Sequence, residues 1–338
     1  MVHRLQITLT ALACAAFGAS MAGAQELALA AKTAPTPTTT SVPRTPDGHP
    51  DLGGYWTNAT VIPLERPKDL GNKAFFTPEE AAAYEKAKLA DNGPTGKGTY
   101  ADVHYNMAQF GLEKGQSKVA DNIRTSLITD PANGRIPPMT PEGRERNAER
   151  AAKNKGHEFD SAENRSLSER CILWPNEGPP MMPVGYNSNL EIVQGAGYVA
   201  VMQEMIHDAR VIPTDGGSHV PANIREWMGD SRGHWEGDTL VVDTTNFRPE
   251  TAFHGASENL HVVERFRRVD ADTILYSFTV EDPHTWASPW SAEYPMTKVK
   301  GPIFEYACHE GNYGMENNLS GARAEEKKLA EKKALEAK

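Results

Sequence analysis

The chain has 338 residues, 39% hydrophobic and 24% charged, with 28 Gly and 24 Pro. That supplies the core of one large domain or two small ones and excludes a disordered or collagen-like polymer. With 35 basic and 45 acidic residues the net charge is −10 and no basic run stands out, which excludes nucleic acid or an anionic membrane surface as the main partner.

Residues 1–24 carry the pattern of a secretory signal peptide: a basic start at His3 and Arg4, a mostly apolar run over 5–17, and a small-residue cleavage site at Ala22-Gly23-Ala24. The apolar run is too short to cross a bilayer, and no later segment approaches the roughly 20 apolar residues a span requires. A periplasmic or secreted protein without a membrane span follows as the expectation. Residues 25–50 are rich in Ala, Thr and Pro and predict a disordered linker.

A second segment, 51–170, predicts an N-terminal strand followed by a helical and loop-rich cover. Thr45-Pro46-Asp47-Gly48 is a turn signal, and 51–57 follows as a first strand. Thr77-Pro78-Glu79-Glu80 combines a Thr cap, Pro in the first helical position and Glu three residues after the cap, which predicts a helix over 78–89. Thr140-Pro141-Glu142 repeats the device and predicts a polar helix reaching about 155.

From 171 to 321 the pattern changes to an antiparallel β domain. Runs at 190–194, 198–205, 208–213, 239–245, 260–269, 273–280, 292–299 and 303–307 are short, rich in Val, Ile, Tyr or Phe, and bounded by turn residues. Gly195-Ala196-Gly197, Glu236-Gly237-Asp238 and Asp270-Ala271-Asp272 mark hairpin corners. With no crossover helices between the runs, the expected fold is mainly β: an antiparallel barrel or strongly bent meander sheet with helical additions. Residues 322–338 predict a charged helical tail. Loss of Cys14 with the signal would leave Cys171 and Cys308, which in an oxidising compartment are expected to form a disulfide.

Two long passages carry a resemblance. The stretch from Gly229-Asp230-Ser231-Arg232-Gly233-His234-Trp235-Glu236-Gly237-Asp238 through Asp243-Thr244-Thr245-Asn246-Phe247, together with Tyr306-Ala307-Cys308-His309-Glu310-Gly311-Asn312-Tyr313, resembles a family of secreted bacterial proteins mostly described as hypothetical. The resemblance implies an exported globular protein and no particular activity. Gly54-Tyr55-Trp56 is similar to the Gly-x-Trp of a first strand in lipocalin-like, or calycin, barrels, which implies a Trp closing one barrel end against a late Arg.

No nucleophile elbow, phosphate loop, dinucleotide fingerprint or metalloprotease motif is present, so any site must be assembled from separate strands and loops. On 260–266, Glu264 shares a face with Leu260, Val262 and Phe266, so burying that face buries a carboxylate, for which Arg210 is a plausible partner. His207, Asp208 and Arg210 lie together in sequence, and the disulfide would pin His309. These five are the expected catalytic residues: His207 or His309 as base, Glu264 or Asp208 as acid or orienting group, and Arg210 for developing negative charge.

Trp286, Trp290, Tyr306, Tyr313 and His261 are the expected substrate-binding residues, the two tryptophans as a loop platform for a sugar or phenolic ring. The inventory implies cofactor-free acid/base chemistry on a small phenolic or sugar-derived molecule, with elimination or isomerisation (lyase type) ahead of hydrolysis. The alternative is a non-catalytic, lipocalin-like binding protein for a hydrophobic or aromatic ligand. The histidines include metal-donor types, but their spacing matches no zinc site, so neither cofactor nor metal is implied. Composition leaves the oligomeric state open.

Overall fold

A computed structural model describes residues 42–90, 123–175, 177–183, 187–206 and 208–337. The signal segment, most of the linker and His207 lie outside the described residues.

The fold is a single antiparallel sheet curled into a nearly closed barrel. Its strands are β1 (Gly54–Thr57), β2 (Ile128–Asp130), β3 (Asn189–Gly195), β4 (Tyr198–Gln203), β5 (Ala209–Pro213), β6 (Asp230–Glu236), β7 (Thr239–Thr245), β8 (His261–Arg268), β9 (Thr273–Glu281) and β10 (Trp290–Lys298). The order β5-β4-β3-β1-β10-β9-β8-β7-β6 joins each strand to its neighbour around the ring, with β2 added beside β1 along the edge of β10. The sheet thus draws β1 and β2 from the 51–170 segment.

Nine strands in that path, each antiparallel to the next, leave the two end strands parallel to each other. β5 and β6 therefore cannot be joined by a hairpin, and residues 214–229 return the chain across the seam. The seam is tight at one point. The amide of Gly216 donates to Gly233 O at 3.2 Å, and a Cβ on Gly233 would come within 3.1 Å of Ile212 Cγ2.

Period-2 alternation fills the interior. Val262, Glu264, Phe266 and Arg268 of β8 face in, beside Ile274, Tyr276, Phe278 and Val280 of β9 and Trp290, Ala292, Tyr294 and Met296 of β10, all buried. Loop residue Met181, fully buried, plugs the space among them. At one end Trp56 Nε1 donates to Leu52 O (3.0 Å), and the Arg268 guanidinium lies 5.2 Å from the Trp56 ring centre, donating from Nε to Asp270 O (3.0 Å).

Helices α1 (Pro78–Ala90), α2 (Pro141–Asn154) and α3 (Tyr313–Glu336) complete the described fold. Both Thr-Pro-Glu starts cap as their chemistry requires. Thr77 and Glu80 exchange backbone and side-chain bonds at 2.8 and 3.3 Å, and Thr140 Oγ1 accepts from Gly143 N at 3.0 Å. Cys171 and Cys308 form the disulfide across a separation of 137 residues.

Three sequence expectations need correction. Residues 303–307 form no strand, because β10 pairs with β1, β2 and β9 and leaves them no edge to join. β6 and β2 are strands that propensity did not show. Residues 204–206 form a bend and turn with Ile206 at φ +62°, so the strand expected over 198–205 ends at Gln203.

Candidate functional site

The strongest expected pairing is present. Arg210 and Glu264, 7% and 0% exposed, form a two-pronged ion pair inside the barrel, with Nη2 to Oε1 at 2.9 Å. Glu264 Oε1 also accepts the Tyr276 hydroxyl (2.7 Å), Tyr276 accepts from Met181 N (2.9 Å), and Tyr294 donates to Met181 O (3.0 Å). Burial alone would lower the Arg210 pKa, but the Glu264 carboxylate raises it on balance. Burial first, and then Glu264, push the Tyr276 phenol far above its usual range. These bonds tie β5, β8, β9, β10 and the plugging loop together.

The other expected residues are dispersed. Asp208 lies at the β5–β6 seam, where it accepts from Ala209 N at 2.9 Å. Trp286 and Trp290, 2% and 0% exposed, are core residues in edge-to-face contact at 5.9 Å, which corrects the expected loop platform. The cause is the turn before them. Buried Asp282 accepts from Ser257 N (2.6 Å), Thr285 Oγ1 (2.5 Å) and His284 N (3.1 Å), and α2 covers it through Arg146 to Gly255 O (3.3 Å). His309 and Tyr306 lie on the disulfide-tied segment, and Tyr313 starts α3 with its ring 71% exposed.

His261 belongs to an outer-face chain. Its Nε2 meets Asp243 Oδ2 at 2.8 Å, Asp243 Oδ1 meets His219 Nε2 at 2.9 Å, and His219 Nδ1 meets Asp230 Oδ2 at 2.8 Å. The hydrogen bond to Asp243 raises the His261 pKa, and the same bond lowers that of Asp243. Among the described residues no group of three or more His, Cys, Asp or Glu is arranged to hold a metal ion.

Two features had no signal in the sequence. The first is an apolar cavity of about 600 Å³ between the plugging loop and the loop after β7, walled by Leu64, Leu167, Trp174, Met182, Phe253 and His254. Ala252 and His254 hold φ of +41° and +46°, a left-handed backbone that costs a non-glycine residue energy and turns the His254 ring into the wall. That ring packs edge-on against Phe253 at 4.6 Å. Loss of water around it lowers its pKa, against a smaller raising effect of Glu65, which favours the neutral imidazole.

The second feature is Glu177, 3% exposed, whose Oε2 accepts from Trp174 N at 3.1 Å while Oε1 has no partner among the described residues. Burial, reinforced by Asp208, pushes its pKa up to about 8. Residues from three distant segments assemble the wall of the apolar cavity.

No protein-family model matches the chain, and no curated protein and no solved structure matches it either.

Proposed function

We propose that this protein is an exported binding protein whose apolar cavity takes a small hydrophobic or aromatic molecule. The observation that carries the reading is the cavity itself: about 600 Å³, within the range of small-molecule sites, with aliphatic and aromatic walls and one imidazole as a polar anchor. The signal-like segment and the Cys171–Cys308 disulfide support export. No helix among the described residues is long and apolar enough to cross a membrane.

Acid/base chemistry by Arg210 and Glu264 gains no support, since each satisfies the other. The neutral His254 imidazole favours a second reading, in which it takes a proton from the bound molecule. Titration with 1-naphthol, followed by quenching of tryptophan fluorescence at Trp174 in the wall, tests the first reading. Saturable quenching is expected, and Leu167→Trp, which fills the cavity, should abolish it. Unsaturable quenching, or saturable quenching indifferent to Leu167→Trp, overturns the binding site. For the second reading, His254→Gln, whose amide keeps a polar group in the wall, should weaken binding less than tenfold and remove turnover in a screen of phenols.

A further inference from the structure

The β5–β6 seam holds a second cavity, also about 600 Å³, of different chemistry. Its walls are the two end strands and the crossover 220–229, and it contains charges of both signs. Hydrogen bonds from Thr214 N to Gly197 O (2.9 Å) and from Gln203 N to Asp208 O (3.3 Å) fix which residues of β5 face β4. By alternation, Arg210 and Ile212 pair with β4, and Ala209 and Val211 turn their backbone toward the seam. The Ala209 N–H folds onto Asp208 Oδ1 (2.9 Å), which leaves the Ala209 C=O and both groups of Val211 facing the cavity. Across the gap the same alternation, set by the tight β6–β7 hairpin, turns the backbone of Ser231 outward.

We infer that the seam cavity binds a short peptide in extended form, as a strand laid antiparallel to both β5 and β6. One inserted strand converts nine strands with a parallel seam into an even, all-antiparallel ring. Contact at Gly233 closes the seam beyond Val211, so only two or three residues fit.

Arg232 forks onto Asp230 through Nε and Nη2 (both 3.2 Å), and Arg248 onto Glu250 through Nε and Nη2 (both 3.3 Å), so Nη1 of each takes no part in those pairs and suits a peptide carboxylate. Arg248 is held flat over Trp227 at 4.2 Å, which fixes its plane.

Calorimetric titration of the full chain with trialanine tests the inference. Saturable binding below about 1 mM is expected. Val211→Pro deletes the N–H that faces the cavity without removing a β4 bond, at a side chain already 62% exposed, and should weaken binding tenfold or more. Arg248→Gln should do the same and serves if Val211→Pro fails to fold. Leu167→Trp, in the apolar cavity, should leave trialanine binding unchanged, which separates this site from the proposed function. Absence of binding to the parent chain overturns the inference. So does a folded Val211→Pro or Arg248→Gln chain that binds trialanine as the parent does, or acetate binding as tightly as trialanine, which marks a simple anion site.

Discussion

Replacing Glu264 by Gln tests whether the barrel interior is organised around one ion pair. The amide keeps an oxygen for the Tyr276 hydroxyl, so the loss falls on Arg210, whose guanidinium is 7% exposed and has Glu264 as its two-pronged partner. Stranding one charge of a buried pair costs about 3–5 kcal/mol, and at roughly 2–4 °C per kcal/mol for a domain of this size the melting temperature should fall by roughly 6–20 °C. The double variant Arg210→Met with Glu264→Leu removes both charges and fills similar volume. It should recover most of the loss, because the pair itself contributes little net stability over an apolar substitute. Thermal melts at pH 7 followed by circular dichroism read the parent and both variants. A Glu264→Gln melt within about 2 °C of the parent, or a double variant no more stable than Glu264→Gln, would refute the account of a sealed, mutually satisfied pair.

Removing the disulfide with Cys171→Ser and Cys308→Ser should destabilise the chain by up to about 5 kcal/mol on the loop-entropy argument, with greater proteolysis of the α3 segment as the visible sign. Glu177, with a folded pKa of about 8 above its unfolded value, contributes fully below the unfolded pKa and loses that contribution as pH rises toward 8. Denaturant unfolding of the parent should therefore weaken between pH 5 and 9 relative to Glu177→Gln by an amount on the order of 4 kcal/mol, and parallel pH profiles would refute it. Thr140→Ala removes the α2 cap and the bond to His284 O (3.0 Å), and should cost about 1 kcal/mol in the same unfolding assay.

The parts of the fold legible from sequence are those in which local chemistry and final environment agree. Strand β8 alternates buried and exposed positions as its residues suggest, so both the burial of Glu264 and its pairing with Arg210 could be read before any coordinates. Strand β6, with Asp230, Arg232, His234 and Glu236 turned outward and Gly233 at the seam, has little of the Val and Ile content that marks a strand. Only its position beside β7 makes it one. Trp286 and Trp290 show the opposite failure. A Pro-containing turn with two aromatic rings looks like an exposed loop until α2 and the Asp282 bonds close over it. The apolar cavity is illegible for a third reason, since its walls come from residues near 64, 167–183 and 250–254, which no spacing rule connects.

Parity explains why polar chemistry gathers where it does. A meander of nine strands must end with two parallel edges, and parallel edges require a long connection in place of a hairpin. That connection, 214–229, is held to the barrel wall by His219, which bridges Asp230 of β6 (2.8 Å) and Asp243 of β7 (2.9 Å). The same chain segment carries Arg225 and Trp227 to the seam. Phe, Tyr, Trp and Met side chains fill the barrel interior, so the two proposed sites lie at its margins, the polar one at the unpaired edges of β5 and β6 and the apolar one under the covering loops.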